Sequence, residues 1–406
     1  MKWKRVIMAD NNQMKIFLSY GREDENSIIN EALLNYLKKY KSKETKNKVF
    51  KVWIDKEKIK TGDDWRSKIV SGISESDRIV ACLSKHSVRN PGVCRTELEL
   101  SLCFREPNNV KTILLEDEND VQAPAAISQN QWLDMSDWKN NYNKDTNTFN
   151  KKWFKKKMKQ LTKALKNPRD KIFQGEISAL YSYLNPPTYS KRPLSLVRNI
   201  NDNNDIYIER KWLIEKINNW FENPNSNQVF CLYGSQGTGK STFAAHLMFQ
   251  TYYIVAGIFF EFNDKKLCRK KNIIITLAYQ LATKIPEYRE ALYRKLKDMN
   301  PSFDSKDNNT NFFKDFEFHD GDEYNLFREL ITDLLPAEFG NHHKYVILLD
   351  ALDEAYQNDK EIVEFLYENF KNFPSWMKFI ITSRPEYRIT KQFGTMQKLE
   401  LDSKKK

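Results

Sequence analysis

The stretch with the clearest chemical meaning is 234–241, which reads Gly-Ser-Gln-Gly-Thr-Gly-Lys-Ser. It fits the pattern G-x-x-x-x-G-K-[ST], in which glycines allow backbone N–H groups to surround a phosphate. The apolar run 229–233 predicts a buried strand before the loop, and 244–248 continues as a helix after it. The positive N-terminal end of that helix points at the same phosphate. We therefore predict that the chain binds a nucleoside triphosphate.

Individual tasks follow from the chemistry of this loop. Lys240 is expected to reach the β- and γ-phosphates, and the Ser241 hydroxyl is expected to ligate Mg²⁺. These residue types do not distinguish ATP from GTP. With ATP as the assumed nucleotide, the predicted contacts in the loop are Gly234, Gly237, Thr238, Gly239, Lys240, Ser241 and Thr242.

An acidic segment follows a second apolar run. The run 345–349 ends in Asp350, an arrangement that places a carboxylate from a buried strand beside Mg²⁺. Asp353 and Glu354 are the candidate acids for polarising the attacking water. Ala351 stands directly after Asp350, where many fast P-loop ATPases have Glu. We therefore expect slow hydrolysis, which suits a switch.

A third segment, 379–384, reads Phe-Ile-Ile-Thr-Ser-Arg and predicts a strand whose end delivers Thr382 and Arg384 near the γ-phosphate. Together with Leu-Leu-Asp-Ala-Leu-Asp-Glu at 348–354 and the loop 234–241, this segment resembles the NACHT-like branch of the STAND NTPases. The resemblance implies ATP-dependent assembly of several copies of the chain.

The same resemblance, which covers 206–401, has two further implications. In related NTPases, a helix before the P-loop strand flanks the nucleotide base, which implies a base contact for Arg210; a surface arginine on a packing helix is the alternative. Family members continue into a helical lid, a winged helix and usually a sensor, whereas this sequence ends at Lys406. We expect a fragment of a longer protein; the alternative is a protein that lacks its own sensor.

The first part of the chain alternates predicted strands with predicted helices, which indicates a parallel sheet covered on both faces. This α/β layout favours a flavodoxin-like fold, whose ligand crevice lies at the carboxyl ends of the strands. A second α/β unit with a parallel sheet is predicted around the P-loop, with one strand at 258–262. In the first unit, the predicted strands are 15–19, 49–54, 78–83, 110–115 and 131–133, and the predicted helices are 26–40, 65–73, 94–105 and 149–166.

Polar residues that follow these strands resemble the motifs of a TIR domain in order and spacing. The pieces are Phe17-Leu-Ser-Tyr20, Val52-Trp-Ile-Asp55, Ile59-x-x-Gly62-Asp-x-Trp65, Leu83-Ser84 and Cys94-x-x-Glu97-Leu98. TIR domains are either adaptors or enzymes that cleave NAD⁺. The resemblance implies that Glu97 is catalytic, and it places NAD⁺ against Phe17, Ser19, Tyr20, Arg22, Asp55 and Trp65. Ordinary core packing for Phe17 and a helix-capping role for Trp65 are the alternatives.

The chemistry of NAD⁺ cleavage defines the role expected for Glu97. Breaking the nicotinamide–ribose bond develops positive charge, which a carboxylate facing the ribose stabilises. Adaptor-type TIR domains often lack an acid here, so its presence favours the enzyme. The alternative is a glutamate on an exposed helix face. Glu99 lies about 200° from Glu97 around a helix, so the two cannot face the same cleft.

Composition limits the class of protein, its expected location and its expected partners. The length of 406 residues allows two or three domains. The composition, 40% hydrophobic and 30% charged, is typical of a folded protein. No apolar run approaches the roughly 18 residues that span a bilayer. The five cysteines show no C-x-x-C spacing, so we expect a reducing, cytoplasmic location. The net charge of +12 comes from dispersed lysines and from the amphipathic helix 149–166, so we do not expect nucleic acid as a partner.

These observations lead to a domain organisation and a functional hypothesis. We predict an N-terminal tail (1–13), a TIR domain (14–166), a connector (167–205) and an NTPase core (206–406). The leading hypothesis is that ATP-dependent homo-oligomerisation through both domains, triggered by an unknown activating ligand, switches on NAD⁺ hydrolysis. One alternative is a scaffold that recruits other TIR proteins without chemistry. Another is an NTPase whose TIR domain only localises it.

Overall fold

Two parallel sheets form the framework, one in each of two units, Met1–Gly175 and Glu176–Lys406. The predicted α/β class with parallel sheets is therefore confirmed. The structure, a computed structural model, describes residues 13–21, 25–42, 46–54, 68–69, 72–73, 75–89, 94, 97, 109–121, 132–167, 176–187, 193, 196, 210–251, 253–301, 322–335 and 344–401.

In the first unit, five parallel strands are arranged in the order β2-β1-β3-β4-β5. They are β1 (Met14–Ser19), β2 (Phe50–Trp53), β3 (Arg78–Leu83), β4 (Val110–Leu114) and β5 (Leu133–Asp134). This is the flavodoxin-like order, in which the strand order reverses at β1 and β3 and leaves a crevice at the carboxyl edge. Each strand lies close to its predicted position.

One face of this sheet is covered by two helices. The helix α1 (Ser27–Lys39) buries Ile29, Leu33 and Leu37, which recur about once per turn. These side chains pack in the same core cluster as Ile16 and Leu18 of β1. Helix formation here follows from the amphipathic spacing that the sequence shows, and α1 occupies most of the predicted range.

The second helix of this face, α2 (Lys151–Lys166), has the predicted amphipathic character. The side chain of Asn150 caps its N-terminus by accepting hydrogen bonds from the backbone of Lys152 and Trp153. A short antiparallel pair, β6 (Tyr142–Asn143) and β7 (Thr148–Phe149), leads into it. Its buried side chains are Met158, Leu161, Thr162, Ala164 and Leu165, whereas Lys151, Lys152, Lys155, Lys156, Lys159, Lys163 and Lys166 are exposed.

Several predicted segments lie wholly or mostly outside the described residues. Within the predicted helix 65–73, residues 68–69 and 72–73 are helical. Within the predicted helix 94–105, residues 94 and 97 are helical. The tail up to residue 12 and much of the predicted connector are also outside the description.

In the second unit, five parallel strands follow the order β12-β8-β11-β10-β9. They are β8 (Val229–Gly234), β9 (Ile254–Phe259), β10 (Tyr345–Asp350), β11 (Met377–Ser383) and β12 (Gln397–Leu401). Because β11 lies between β8 and β10, the end of β11 stands between the P-loop and Asp350.

The strand predicted at 258–262 is wrong in its bounds. The strand found there, β9, begins at Ile254 because Ile254-Val-Ala-Gly is also apolar and pairs with β10. It ends at Phe259, and Phe262, which is 53% exposed, belongs to the turn that follows. The apolar character of Phe262 was therefore misleading.

Helices cover this second sheet, and α6 is buried along most of its length. None of the helices in the described parts of the chain is long and apolar enough to cross a membrane. The helices are α3 (Glu176–Leu184), α4 (Lys211–Glu222), α5 (Lys240–Gln250), α6 (Lys270–Lys284), α7 (Pro286–Met299), α8 (Glu323–Leu330), α9 (Leu352–Asn358), α10 (Ile362–Phe370) and α11 (Tyr387–Gln392).

Helix α3, which the sequence places in the connector, packs within the second unit. The ring of Tyr181 lies edge-on to that of Tyr279 in α6, with centroids 5.3 Å apart. The carboxylate of Glu176 pairs with Nε of the buried Arg289 in α7 at 3.2 Å. The second unit therefore includes a helix upstream of the predicted boundary at 206.

Candidate functional site

In the first unit, the carboxyl end of β1 brings Ser19 to Glu97. Ser19 is the last residue of β1, and its hydroxyl donates a hydrogen bond to Oε2 of Glu97. Both residues are buried, with 4% of Glu97 exposed. A buried carboxylate requires a polar partner, and Ser19 is one such partner. The predicted catalytic acid therefore lies at the edge where flavodoxin-like sheets bind ligands, and not on an exposed helix face.

A second contact explains the spacing Cys94-x-x-Glu97. The Cys94 thiol donates to the backbone oxygen of Tyr20, with a distance of 3.2 Å between the two atoms. Residues three apart lie on the same side of a helix, so Cys94 and Glu97 both contact the end of β1. Together these bonds attach the segment that carries Glu97 to Ser19 and Tyr20.

Phe17 has the environment of a core residue. It is 1% exposed, and its ring stacks on that of Trp53 with centroids 4.6 Å apart. Gly72 allows close packing there, since a Cβ on it would lie 2.6 Å from the Trp53 indole. Phe17 shares a sheet face with Ser19 because side chains alternate along a strand. Its described contacts are those of the core alternative.

The remaining predicted NAD⁺ contacts, Arg22, Asp55 and Trp65, lie outside the described residues, as does Glu99. Their roles remain predictions.

A polar network that the sequence did not predict lies at the same edge of the sheet. The Asn26 amide donates to Oε1 of Glu116 at 2.7 Å and accepts from the Trp138 indole at 2.9 Å. The other carboxylate oxygen of Glu116 accepts from the backbone of Lys85 at 2.8 Å. The signal for this network was available, because Glu116 and Lys85 each lie two residues after the end of a strand. The network joins the start of α1 to the ends of β3 and β4.

In the second unit, the P-loop has the backbone geometry expected of a phosphate cradle. Gly237 and Gly239 have φ angles of +79° and +78°, a left-handed conformation that residues with a Cβ rarely adopt. Lys240 begins α5, and its Nζ donates to the backbone oxygens of Gly234 at 2.7 Å and Ser235 at 2.9 Å. In this structure Lys240 therefore closes the loop on itself. Ser241 and Thr242 follow it in the first turn of the helix, and both are partly exposed.

The charged residues predicted for this site do converge on it. Burial lowers the pKa of Lys240 from its ordinary value, and the carboxylates of Asp353, Asp350 and Glu354 oppose that shift. Arg384 contributes further lowering of the same pKa. All four groups lie at or just after the ends of β10 and β11, at the same carboxyl edge of the sheet as the P-loop that follows β8.

A hydroxyl orients the predicted magnesium ligand. The Thr382 hydroxyl donates to Oδ1 of the fully buried Asp350 and accepts from the backbone N–H of Ala351 at 3.0 Å. Ala351 has a φ of +58°, which is uncommon for a residue with a Cβ, and α9 begins directly after it. Thr382 was expected near the γ-phosphate, but its described bonds are to the Asp350 segment.

The two candidate acids differ in their partners. Asp353 is buried and binds the end of β11: its Oδ1 accepts from the backbone of Arg384 at 3.0 Å, and its Oδ2 pairs with Nε of Arg384 at 3.1 Å. Glu354 is partly exposed, and its Oε2 accepts from the backbone of Phe262 at 2.8 Å. The described bonds of Asp353 thus go to the end of β11, whereas that of Glu354 goes to the turn after β9.

Arg210 contacts the P-loop itself. Its Nη2 donates to the backbone oxygen of Thr238 at 2.6 Å, and its guanidinium lies 3.5 Å from where a Cβ on Gly239 would be. Its Nη1 is buried and has no hydrogen-bond partner among the described residues. Arg210 is therefore not a free surface arginine, and the predicted contact to a nucleotide base remains a prediction.

The arrangement suits a magnesium ion shared with phosphates. In the described part of the chain, no group of three or more His, Cys, Asp or Glu side chains could hold a metal by itself. Mg²⁺ in nucleotide sites takes one or two protein ligands and completes its shell with phosphates and water. The oriented Asp350 and the Ser241 hydroxyl, beside a phosphate cradle, fit that requirement.

Comparison with known families agrees with the two folds. Residues 16–151 match the family model of the TIR domain, and residues 209–384 match that of the N-terminal region of nephrocystin 3. No curated protein matches the chain. In this chain, a TIR-domain region at 16–151 is therefore followed by a region of the nephrocystin 3 N-terminal type at 209–384.

Proposed function

We propose that this chain is a nucleotide-gated signalling protein similar to the TIR–STAND proteins, with NAD⁺ hydrolysis as its output. The observation that carries the proposal is the buried hydrogen bond between Ser19 and Glu97 at the carboxyl edge of the sheet. Ligands of flavodoxin-like sheets bind along that edge, so a carboxylate held there can act on a bound dinucleotide. The TIR domain itself supports a role in signalling.

In this proposal, Glu97 acts on the bond between nicotinamide and ribose. As the bond breaks, its electron pair leaves with nicotinamide and positive charge develops on the ribose. The Glu97 carboxylate stabilises that charge and accepts the proton of the water that attacks the ribose carbon. Ser19 holds one carboxylate oxygen and so orients the group. The products are nicotinamide and ADP-ribose, the latter cyclic if the adenine ring attacks in place of water.

The NTPase-like unit would supply the gate. Lys240 exchanges its bonds to Gly234 and Ser235 for bonds to the β- and γ-phosphates of ATP. Mg²⁺, when bound, neutralises part of the phosphate charge, and Ser241 and Asp350 are the residues that would hold it. Binding of ATP then favours assembly of several copies, through the NACHT-like and TIR domains, after an activating ligand has acted.

The Glu97 claim is tested by NAD⁺ consumption. In the full chain under activating conditions, and with the TIR domains artificially clustered, Glu97→Ala should lower the rate of NAD⁺ loss by about a hundredfold or more. Glu118→Gln, which changes an exposed carboxylate, is the matched control. Equal rates in the wild type and Glu97→Ala would exclude a catalytic role for this residue.

The same assay separates the enzyme from the scaffold. A non-enzymatic scaffold would capture other TIR domains after clustering, while NAD⁺ stays constant in the wild type as well. Capture of other TIR domains without NAD⁺ loss would therefore show that the output is recruitment and not NAD⁺ hydrolysis. The proposed control by nucleotide binding would not be affected by that result.

A further inference from the structure

We propose that Asp353 is a positioning residue for Arg384, and that through Arg384 it sets the preference of the site for a nucleoside triphosphate over a diphosphate. This inference rests on the proposed nucleotide binding. The position of Asp353 in the sequence suggested that it polarises the attacking water. The role proposed here, orienting Arg384, is a different one.

Both carboxylate oxygens of Asp353 face the segment at the end of β11. Oδ1 accepts from the backbone N–H of Arg384 at 3.0 Å, and the Ser383 hydroxyl lies 3.4 Å from the same oxygen. Oδ2 faces Nε of Arg384 at 3.1 Å. Asp353 is 2% exposed, so its surroundings are dry enough to make these bonds strong. Both oxygens are thus engaged by one short segment at the end of β11.

The terminal nitrogens of Arg384 are not used in its ion pair with Asp353. A guanidinium has five donors in a rigid plane, and holding Nε sets the direction of that plane. The two terminal nitrogens donate to no partner among the described residues, and 38% of the side chain is exposed. Arg384 can therefore present two parallel N–H groups to an anion while Asp353 keeps its orientation.

The two terminal N–H groups of Arg384, which form a fork, lie at the carboxyl edge of the second sheet. Arg384 directly follows β11, which lies between β8 with its P-loop and β10 with Asp350. Its charge acts on Lys240, the residue predicted to hold the β- and γ-phosphates. A ligand with a third phosphate would extend toward this fork, whereas a diphosphate would not. Loss of the orientation should therefore weaken triphosphate binding selectively.

The test is a double-mutant cycle on equilibrium binding of Mg²⁺–ATP and Mg²⁺–ADP to the full chain. Asp353→Asn, which preserves shape, should weaken ATP by roughly tenfold and ADP by less than about threefold. Arg384→Gln should show the same selective loss. In the Arg384→Gln background, Asp353→Asn should change the ratio of the two affinities by less than about twofold, because the residues act as one unit. Glu364→Gln, an exposed carboxylate, is the control.

Each outcome bears on the proposal. If Asp353→Asn leaves both affinities unchanged and abolishes ATP hydrolysis, Asp353 is the water-polarising acid and the proposal is overturned. Equal weakening of ATP and ADP would indicate a purely structural role and would overturn it as well. A wild type that binds neither nucleotide would refute the proposed nucleotide binding itself, and the inference with it.

Discussion

Lys378 is a buried lysine that links β11 to the end of α4 in the second unit. It lies in β11 and is 3% exposed, and its Nζ donates to the backbone oxygens of Trp220 and Asn223, each at 3.0 Å. The Ser226 hydroxyl is a third acceptor, at 2.5 Å. These oxygens belong to the end of α4 and the turn after it, where helices leave carbonyls without partners. Burial, with a smaller effect from Lys344, lowers the pKa of Lys378 to about 8.

This lowered pKa predicts a pH dependence of stability. Between pH 8 and the ordinary lysine value of 10.5, the unfolded chain binds a proton that the folded chain has released. The contribution of Lys378 to the free energy of unfolding therefore rises with pH through that window. Below the window the folded chain also keeps the proton, so the full cost of burying the charged amine applies there. We expect the free energy of unfolding of the wild type, relative to Lys378→Met, to increase by roughly 1–2 kcal/mol from pH 7.5 to 9.5.

Urea unfolding of both proteins at the two pH values measures this difference. Lys391→Met, at an exposed position, should show no such change relative to the wild type. A difference between wild type and Lys378→Met that is constant, or that shrinks with rising pH, would show that the amine does not release its proton in this range.

At the scale of elements, α3 belongs with the helices of the second unit. It buries Ile177, Leu180, Tyr183 and Leu184, as expected for an amphipathic helix on a larger core. Burial lowers the pKa of the Arg289 guanidinium, and Glu176 opposes that shift. The ion pair between α3 and α7 therefore offsets part of the cost of burying the Arg289 guanidinium.

We predict that Glu176→Gln destabilises the second unit by about 2 kcal/mol or more, since it leaves Arg289 buried without its carboxylate. The double variant Glu176→Gln, Arg289→Met should recover part of this loss because the buried charge is also removed. Thermal or urea unfolding of the full chain measures both. Glu215→Gln, on an exposed helix position, is the control. If Arg289→Met lowers the free energy of unfolding by the same amount with Glu176 present as with Glu176→Gln, the pairing is contradicted.

At the scale of the whole molecule, the proposal separates a gate from an output, and Lys240→Ala tests that separation. It removes the predicted counter-charge of the phosphates, so ATP-dependent assembly and the NAD⁺ loss that follows it should fall to background. Clustering of the TIR domains by other means should restore NAD⁺ loss in the same variant. The measurements are assembly by size-exclusion chromatography and NAD⁺ consumption, with Lys265→Ala as an exposed control.

Two results would contradict this prediction. If Lys240→Ala assembles and consumes NAD⁺ like the wild type, the switch mechanism is wrong. If forced clustering does not restore NAD⁺ loss in the variant, while the clustered wild type consumes NAD⁺, then the TIR domain does not act independently of the nucleotide site as proposed.

Much of the fold was predictable because local patterns encode it. Apolar runs define buried parallel strands, and spacing near the helical repeat defines α1 and α2, so the order of elements followed from the chain alone. The P-loop was equally clear, since its glycines are required by backbone conformation at Gly237 and Gly239. The bounds of β9 were not predictable in the same way, because Phe262 is apolar but lies in a turn.

By itself, the sequence determined which residues are available for chemistry: the loop at 234–241, the acids after β10, and the spacing of Cys94 and Glu97. Only the tertiary structure decided what those residues bond to. Asp353 engages Arg384, and Glu97 engages Ser19, although 78 positions separate the latter pair. The physical reason is that such bonds depend on which strands are neighbours, and no local pattern specifies that β11 lies between β8 and β10.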